Sequence, residues 1–546
     1  MNENPDKFKV TQIPEVELES LEIHTNYYMH IADIVKESGR NSIKKYIKDF
    51  DIHKVVLYGA GVVSRILCDM LEKDNVCEIA GVIDRDKSTA YGFHEFLSLD
   101  ELQNTEYDMI IITPLGAVEA IQAELDRRGI EKYCFISEMA DYDGIKQFAQ
   151  SCTLSKVHAA KAECEEKKTA AKMVYIVLTR HPLNPAGLGI RNKIKMQLEA
   201  FDNAGYEPIY ILFDQYRIYI RECVGEKTLI KYGMTPHKLF DKLTEYIRQV
   251  NPEFIYLRYE LIYKNWIDYF YRELGSLDIK TVCEFPTYPY DSEYDDKDPR
   301  ICTDRYYRQN LKNYFKISTN FEDIDEIMGI PSIPIRNGIS TAVPLHSVRD
   351  NREAKEIHML AVANLAWWHG YDRIIEGMNQ YINIEKNSEW KIYFHIVGEG
   401  PESPRLQKMV EDYGLGANIL FYGNIYDKDR LNAVFDGKDI GIGSIGMHRH
   451  TRSSRGSVIK TAEYCMRGLP FMIDYDDVSF DDNAPYVLKV SRDENPVSMH
   501  EVIAFAGKYA NIQTAQEMRD YATGNLTWDT YINKIIQSVR NRINEA

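Results

Sequence analysis

IHMLAVANLAWWHGYDRIIEGM, residues 357–378, is the stretch that decides the fold of the C-terminal part of the chain. An apolar strand-like run passes through a glycine-containing turn into a segment with helical spacing, which is the repeating unit of a parallel α/β sheet. The runs KIYFHIV, NILFYGNI and DIGIGSI follow, and they alternate with helical segments such as ESPRLQKMVEDYG. Residues 346–525 are therefore predicted to form a doubly wound domain.

Two further strand–turn–helix starts divide the rest of the chain: KVVLYGAGVVSRILCDMLEK at residues 54–73 and MVYIVLTRHPLNPAGLGIRNKIKMQLEA at residues 173–200. The predicted fold class is α/β, with two Rossmann-like doubly wound domains preceded by a third, smaller one. The predicted segments are a helical lead-in with an accessory domain at 1–150, a charged linker at 151–172, a second domain at 173–345, the domain at 346–525, and a C-terminal helix at 526–546 that packs back toward the second domain.

Composition limits the function classes. The 546 residues carry a formal net charge of −17, which argues against broad binding to nucleic acids. No apolar run of about 18 residues and no signal peptide is evident, so the sequence predicts a cytoplasmic location. Its nine cysteines show no CxxC pair or other metal-ligand spacing, so no metal site is predicted.

The segment RGSVIKTAEYCMRGLP, residues 455–470, places Ser457, Lys460 and Glu463 three residues apart. On a helix these side chains share one face, and Ser457 is predicted to cap the helix. The free N–H groups and the dipole at that end favour a diphosphate, with a ribose one turn further along near Glu463. The alternative is an ordinary surface helix with a lysine–glutamate pair.

Five motifs occur in a fixed order in the C-terminal part: WWHGYDRIIEGM, HIVGEGPESPRL, ILFYGNI, IGIGSIGMHR and SVIKTAEYCMRGLP. Their order and spacing resemble the donor-binding half of GT-B glycosyltransferases, in particular the retaining family 4 enzymes that use nucleotide sugars. Residues 173–345 resemble the acceptor half through a glycine-rich loop and the phrases LRYELIY, CEFPTYPYDSEY and IPIRNGI. The resemblance covers about residue 173 to the C-terminus and implies a GT-B architecture.

The resemblance also implies residue roles on the donor side. The predicted catalytic residues are Arg449, Lys460 and Glu463: the two cations neutralise a diphosphate, and the carboxylate accepts bonds from the ribose. Arg455 stands where the family has a glutamate that contacts the donor sugar, and His369 stands where it often has a lysine. The predicted donor-binding residues are His369, Gly370, Arg373, Gly398, Gly400, Arg455 and Ser457.

On the acceptor side, the resemblance points to a glycine-rich loop and to a polar segment that follows a strand. Pro286 and Thr287 occupy the place of a histidine that many related enzymes carry, so no general base is evident. Positioning and stabilisation of the leaving group then supply most of the catalysis. The predicted acceptor-side residues are Gly187, Gly189, Glu284, Tyr288, Tyr290 and Glu293.

The accessory domain carries a weaker nucleotide-binding pattern at Gly59, Gly61, Ser64 and Asp84. The glycines follow a strand and open a helix, and Asp84 ends the next strand, where a ribose-binding carboxylate belongs. Ser64 replaces the third glycine of the pattern. The alternatives are a scaffold for partners or oligomers and an oxidoreductase domain.

Together these features predict a retaining, metal-independent hexosyl- or related glycosyltransferase that requires no cofactor. The donor is a nucleotide diphosphate sugar, and the acceptor is a hydroxyl of a glycan, lipid-linked intermediate or protein in surface-glycan synthesis (capsule, exopolysaccharide or glycoprotein). Peripheral association with a membrane glycan-assembly complex and homo-oligomerisation are left open. The alternative is a catalytically silent partner or scaffold subunit that binds nucleotide sugar.

Overall fold

The computed structural model describes residues 31–544, except 85–94, 115–117, 152–169, 180, 184–186, 215–216, 225–226, 233–235, 262–265, 289–296, 322, 350–354, 387–388, 451–454 and 482. The chain divides into two compact units. The first comprises Met1–Lys195, Glu207–Ile255 and Lys264–Ile279, and the second comprises Met196–Tyr206, Tyr256–Tyr263 and Lys280–Ala546. The domain limits given above at residues 150, 172, 345 and 525 stay predictions.

The N-terminal part of the first unit is a parallel α/β layer with strand order β2-β1-β3-β4. Apolar residues on both faces of the sheet, such as Val55 and Val56, are fully buried, as expected for a parallel sheet covered by helices. Its elements are α1 (Glu37–Asp49), β1 (Lys54–Tyr58), α2 (Val62–Lys73), β2 (Glu78–Ile83), β3 (Met109–Ile112), α3 (Val118–Arg127), β4 (Tyr133–Phe135), α4 (Ile136–Ala140) and α5 (Tyr142–Ser151).

The chain then enters a second sheet, whose strands follow the order β9-β5-β6-β7-β8. β6, β7 and β8 are antiparallel neighbours, so the sheet is mixed. The sequence did not predict β7 and β8, because RIYIRE and KTLIKY are short runs interrupted by charges. The elements are β5 (Ala171–Val177), α6 (Leu188–Asn203), β6 (Tyr206–Asp214), β7 (Arg217–Glu222), β8 (Lys227–Tyr232), α7 (Pro236–Val250), β9 (Phe254–Arg258) and α8 (Trp266–Gly275).

The second unit begins with strands in the order β12-β13-β11-β10-β9. β10, β11 and β13 pair in parallel, and the short β12 forms an antiparallel edge. These elements are β10 (Lys280–Phe285), α9 (Pro299–Tyr307), α10 (Leu311–Tyr314), β11 (Ile317–Asn320), β12 (Glu326–Ile327) and β13 (Ile330–Pro334).

The rest of the second unit is built on a six-stranded parallel sheet, order β16-β15-β14-β17-β19-β21. The predicted alternation of strands and helices is confirmed. The elements are β14 (Glu356–Val362), α11 (Tyr371–Asn379), β15 (Lys391–Val397), α12 (Ser403–Asp412), β16 (Ile419–Phe421), α13 (Lys428–Phe435), β17 (Ile440–Ile442), β18 (Arg455–Gly456), α14 (Ile459–Arg467), β19 (Phe471–Ile473), β20 (Asp476–Asp477), β21 (Val487–Lys489), α15 (Met499–Tyr509), α16 (Ile512–Asn525) and α17 (Trp528–Asn544).

The alternation of side chains along β14 explains why both faces of this sheet carry helices. Met359 and Ala361 point to a core that α11, α12 and α15 cover, whereas Leu360 points to a core shared with α13, α14 and α16. Loops at the carboxyl ends of β14, β15 and β17 therefore meet at one edge of the sheet, where open α/β sheets bind ligands.

The C-terminal helix α17 packs within the second unit. Asp529 accepts a hydrogen bond from Asn203 at 3.0 Å, Lys534 donates to the Pro334 carbonyl at 2.9 Å, and Arg540 donates to the Tyr206 hydroxyl at 3.0 Å. None of the described helices is both long and apolar enough to cross a membrane.

Candidate functional site

The start of helix α14 lies at the carboxyl edge of the six-stranded sheet, because the helix leads into the parallel strand β19. Val458 is the N-cap residue, and no side chain caps the helix. The prediction that Ser457 caps it is therefore wrong. Ser457 lies one residue too early, and its hydroxyl instead accepts from the Asn337 amide at 3.1 Å and bonds the Ser479 hydroxyl at 2.9 Å. The first N–H groups of α14 remain available to an anion.

Lys460 lies in the first turn of this helix. Its ammonium donates to the Tyr371 hydroxyl at 3.1 Å and lies 5.6 Å from the centroid of that ring. The side chain as a whole keeps some exposure, but its ammonium group is desolvated, and burial lowers the pKa of Lys460 to about 7. It forms no ion pair with a carboxylate of the described residues.

His369 is brought to the same place. Its ring stacks on Tyr371 at 5.3 Å, and its Nδ1 accepts a hydrogen bond from the Ala366 amide at 3.1 Å. Burial, together with the nearby Lys460, lowers the pKa of His369 to about 2, so the imidazole is neutral and carries its proton on Nε2. His369 and Lys460 thus both contact Tyr371, and the three residues form one small polar site.

Gly370 holds the turn that presents His369. Its φ is +69°, and an added Cβ would lie 2.7 Å from the carbonyl carbon of Ile445. Only glycine fits this left-handed position without strain. The residue therefore shapes the turn before α11 through backbone geometry.

Glu463 follows on the exposed side of α14. Its Oε1 pairs with Arg467, one turn later, at 2.9 Å from Nη2 and 3.0 Å from Nε. Arg467 also donates to Asn432 and lies over the Phe435 ring, so it is itself fixed. Glu463 Oε2 has no partner among the described residues, which leaves an oriented acceptor for a hydroxyl group.

Arg449 is less available than the sequence predicted. Its guanidinium pairs with Asp372 at 2.9 Å, forms a second ion pair with Glu494, and donates to the Trp367 carbonyl at 2.9 Å. The hydrogen bond from Arg449 is the main cause that lowers the pKa of Glu494 to about 2. Two carboxylates therefore already balance the charge that was predicted to neutralise a diphosphate.

The prediction of Arg373 as a donor-binding residue needs correction. The side chain is 1% exposed. Its guanidinium donates to the carbonyls of Asn495, Ile445 and Ser491 and pairs with Asp493. These bonds tie together the loops that contain Ile445 and residues 491–495. They also compensate the buried charge of the guanidinium, which would be costly without partners.

Gly398 and Gly400 do not need a nucleotide to explain them. A Cβ on Gly398, whose φ is +114°, would lie 1.9 Å from the Ala363 carbonyl oxygen. A Cβ on Gly400 would lie 2.2 Å from the Leu365 carbonyl oxygen. Both glycines therefore allow the loops after β14 and β15 to pack against each other, and the prediction of ligand approach remains untested.

Arg455 lies on β18, outside this cluster. Its side chain is 62% exposed, and its Nη2 is 4.0 Å from Asp323 Oδ2. The strand pairs with β20, so Arg455 precedes α14 on a separate two-stranded ribbon. Arg455 and Ser457 thus directly precede, along the chain, the helix that carries Lys460.

On the acceptor side, Glu284 is fully buried at 0% exposure. Its carboxylate accepts from Arg258 at 2.6 Å, Gln197 at 2.6 Å and Tyr256 at 2.7 Å, which makes it a structural group rather than a ligand contact. Tyr288 lies in a bend after β10 and is partly buried. Tyr290 and Glu293 lie outside the described residues.

The two loop glycines predicted for the acceptor side lie in the first unit. Gly187 immediately precedes α6 and is buried, and Gly189 lies in the first turn of that helix with open space where a Cβ would be. Their surroundings do not test whether these glycines contact a ligand, so their role on the acceptor side stays a prediction.

The accessory loop departs from a dinucleotide site. Gly59 has φ +108° and fits against Thr113 and Pro114, and space is open above Gly61. The Ser64 hydroxyl, in place of the third glycine, is buried and bonds the Gly59 carbonyl and Thr113 at 2.5 Å. Asp84 accepts from the Ala60 amide at 2.6 Å, so a carboxylate already binds one of the loop amides that a phosphate would need.

Sequence reasoning missed three residues of the site: Tyr371, which binds Lys460; Arg467, which orients Glu463; and Asp372, which binds Arg449. The i,i+4 spacing of Glu463 and Arg467 is a signal that the sequence does contain. Among the described residues, no group of three or more His, Cys, Asp or Glu side chains is placed to hold a metal ion.

Two family models match parts of the chain. Residues 346–442, which include His369, Gly370, Gly398 and Gly400, match glycosyl transferases group 1. Residues 51–136 match the model C2185-like, N-terminal, where the sequence predicted a Rossmann-like accessory domain. A comparison with curated proteins gives no match.

Similar solved structures include S. aureus TarM in complex with Fondaparinux, alpha-GlcNAc-glycerol and UDP, at 10% identity over 89% of this chain and 99% of that chain, with a TM-score of 0.37. The pneumococcal O-GlcNAc transferase GtfA in complex with UDP and GlcNAc is 11% identical over 90% of this chain and 99% of that chain, with a TM-score of 0.37. An E. coli trehalose-6-phosphate protein bound with UDP-2-fluoro glucose is 12% identical over 68% of this chain and 99% of that chain, with a TM-score of 0.44. At these scores the ligands of those proteins do not inform the ligand of this chain.

The group 1 match falls on the sheet and loops that carry the site, from before β14 to the end of β17. This part of the fold agrees with the match, because the six-stranded sheet is parallel and carries helices on both faces, as the resemblance predicted for the donor-binding half. The chain therefore carries a glycosyl transferases group 1 domain, matched over residues 346–442, within an α/β fold.

Proposed function

We propose that the protein moves a hexosyl or related sugar from a nucleotide diphosphate sugar to an acceptor hydroxyl, with retention and without a metal ion. The observation that carries the proposal is Lys460, a desolvated cation without a carboxylate partner among the described residues, in the first turn of a helix that no side chain caps. Both features favour an anion at this position. A group 1 domain supplies the reaction class.

In this proposal the start of α14 and Lys460 bind the diphosphate and stabilise the charge that develops as it leaves. Glu463, held by Arg467 through Oε1, accepts a ribose hydroxyl on Oε2. His369 donates from Nε2 to an oxygen of the donor. The bond from the sugar carbon to the phosphate oxygen breaks, the bond to the acceptor oxygen forms, and the acceptor proton passes to the departing phosphate.

The context of the reaction is also part of the proposal. The sugar acceptor is a hydroxyl of a glycan, lipid-linked intermediate or protein in surface-glycan synthesis, and the reaction takes place in the cytoplasm, where peripheral association with a membrane complex is left open. These statements rest on the sequence resemblance alone.

A thermal-shift panel of nucleotide sugars, followed by transfer and hydrolysis assays with the donor that binds, tests the proposal. Lys460→Met is expected to abolish donor binding, and Glu463→Ala to weaken it. Lys408→Met removes an exposed lysine of α12 and serves as the matched control. Equal activity of Lys460→Met and Lys408→Met would contradict the proposed site.

Metal independence has its own test. A chelator is expected to leave the transfer rate unchanged, because the N–H groups of the α14 start and Lys460 stabilise the diphosphate in place of a metal ion. Loss of activity on chelation, with recovery after addition of a divalent ion, would contradict this part of the proposal.

The second candidate is a catalytically silent subunit that binds nucleotide sugar. The exposed Arg455 on β18 favours it, because the resemblance places a sugar-contacting glutamate there. This candidate predicts donor binding with neither hydrolysis nor transfer. Turnover by the wild-type protein that is lost in Lys460→Met would exclude it.

A further inference from the structure

The cations around the start of α14 differ in how their charge is balanced. Arg449 is paired with Asp372 and Glu494, Arg373 with Asp493, and Arg467 with Glu463. Arg405 shares Asp372 and also binds Glu402. Lys460 is the exception within this group, since no described carboxylate pairs with it.

The groups that face Lys460 do not replace a carboxylate. On the turn before α11 and on α11 itself, these are the neutral His369 and the Tyr371 hydroxyl. On its own helix, Glu463 is bound to Arg467 and Tyr464 bonds the Ile442 carbonyl.

Two further carboxylates belong to the segments packed against the start of α14. Asp477 binds Thr461 and the Ser479 amide, and Asp474 binds the Met447 amide and His448. Both are occupied by hydrogen bonds to other groups, so neither acts as the counter-ion of Lys460.

We infer that Lys460 is a proton-linked phosphate ligand: it takes up a proton when the diphosphate of the donor binds, so that donor binding consumes one proton in the pH range where the free protein holds the amine uncharged. This inference rests on the proposed function and adds a regulatory property to the same site. The reaction with the proton is balanced: R–NH₂ and H⁺ from solvent give R–NH₃⁺ paired with the phosphate oxygens.

The physical cause is the environment of the amine. A desolvated amine without a counter-ion favours its neutral form, whereas an opposite charge within about 4–6 Å favours the charged form. The two phosphodiester groups of a nucleotide diphosphate sugar stay ionised near neutral pH and supply that charge. Because an arginine would stay protonated throughout, a lysine at this place gives a response to pH that an arginine would not.

The number of protons taken up per bound donor is expected to rise with pH. With a pKa of about 7 in the free protein, uptake is about 0.1 at pH 6, about 0.5 at pH 7 and about 0.9 at pH 8. Donor affinity is expected to fall by about tenfold per pH unit above pH 8, as long as the bound amine stays protonated.

Isothermal titration of the full chain with the nucleotide sugar selected by the thermal-shift panel measures this uptake directly. Titrations in MES and in bis-Tris at pH 6, and in HEPES and in Tris at pH 8, give the proton number from the dependence of the binding enthalpy on the ionisation enthalpy of the buffer. The intact nucleotide sugar is used because the terminal phosphate of a free nucleoside diphosphate titrates in the same range.

Lys460→Arg is the decisive variant, with Lys408→Arg as the matched control. We expect Lys408→Arg to behave like the wild type and Lys460→Arg to bind without proton uptake at pH 8. Donor binding by the wild type without proton uptake at pH 8, or equal uptake in Lys460→Arg, would overturn the inference. If Lys460→Arg does not fold or does not bind the donor, the proton uptake of the wild type tests the inference alone: it must be larger at pH 8 than at pH 6. If no nucleotide sugar binds at any pH, the proposed function fails instead.

Discussion

At the scale of single residues, Arg467 shows how one side chain orients another. It binds Glu463 Oε1 through Nε and Nη2 and is held in turn by Asn432 and Phe435. We expect Arg467→Met to leave Glu463 free to rotate, because both charged hydrogen bonds to its Oε1 are lost. The donor KM should rise about tenfold, the cost of about one hydrogen bond to a charged group.

Steady-state kinetics with varied donor concentration check this prediction. Asn432→Ala is the control, since it removes an anchor of Arg467 without touching Glu463 directly, and a smaller rise is expected. An unchanged donor KM in Arg467→Met would show that Glu463 does not contact the donor.

A second residue-scale prediction concerns Gly398. Alanine at this position must adopt φ near +114° and place its Cβ against the Ala363 carbonyl. We expect Gly398→Ala to destabilise the protein by about 3 kcal/mol or more, because backbone strain and a clash with main-chain atoms add. Gly416→Ala, where nothing lies within 4 Å, should change the thermal midpoint little. Similar midpoints for both variants would contradict this account of the loop packing.

The residues of the site differ in how far the sequence alone could place them. The 455–470 segment indicated that Lys460 and Glu463 lie on one helix, and the structure confirms that helix. The sequence alone did not reveal that α14 begins after Ser457, or that Arg373 and Arg449 are bound by groups from distant segments. Spacing along one element predicts neighbours on that element only, whereas these ion pairs depend on how several loops pack.

At the scale of elements, helix α14 lacks a side-chain cap at Val458, whose extended φ and ψ are typical of an N-cap residue. Val458→Thr adds a hydroxyl with almost no change in shape. We expect it to stabilise the helix by about 0.5–1 kcal/mol, because the hydroxyl accepts from an N–H of the first turn. Donor affinity should fall, since the hydroxyl competes with phosphate for those N–H groups.

Thermal unfolding and donor titration of Val458→Thr and Val458→Ala separate the two effects. The alanine variant cannot accept a hydrogen bond and controls for the lost methyl groups. Unchanged or tighter donor binding in Val458→Thr would contradict the assignment of the α14 amides to the diphosphate.

The elements also show where sequence patterns predict a fold and where they do not. Strands β14, β15, β16 and β17 lie in the apolar runs from which the sequence predicted them, whereas β21 (Val487–Lys489) was not predicted. The hairpin strands β7 and β8 escaped prediction because their charged side chains interrupt the apolar pattern. Buried partners, such as Phe148, whose ring centroid lies 5.4 Å from that of Tyr219 on β7, compensate for that weak pattern.

At the scale of the whole molecule, three histidines of the second unit link stability to pH. His358 Nδ1 bonds His395 Nε2 at 2.9 Å, and burial lowers the pKa of these groups to about 4 and about 3. His369 is lowered further, to about 2. The unfolded chain binds protons below the ordinary value of 6.5, whereas the folded chain does not.

Stability is therefore constant above about pH 6.5 with respect to these groups and falls as the pH decreases below it. Each histidine contributes a loss of about 1.4 kcal/mol per pH unit until its folded pKa is reached. Denaturant unfolding monitored between pH 7.5 and pH 4.5 checks this prediction. A free energy of unfolding that does not change from pH 6.5 to pH 5 would contradict the assignment of neutral, buried imidazoles.

The central claim is that Lys460 and the start of α14 hold the diphosphate of a nucleotide sugar. A crystal structure of the complex with the nucleotide sugar that binds most tightly tests it most directly. The account predicts phosphate oxygens within hydrogen-bond distance of Lys460 Nζ and of the N–H groups in the first turn of α14. A diphosphate held elsewhere, with Lys460 still bonded only to Tyr371, would contradict it.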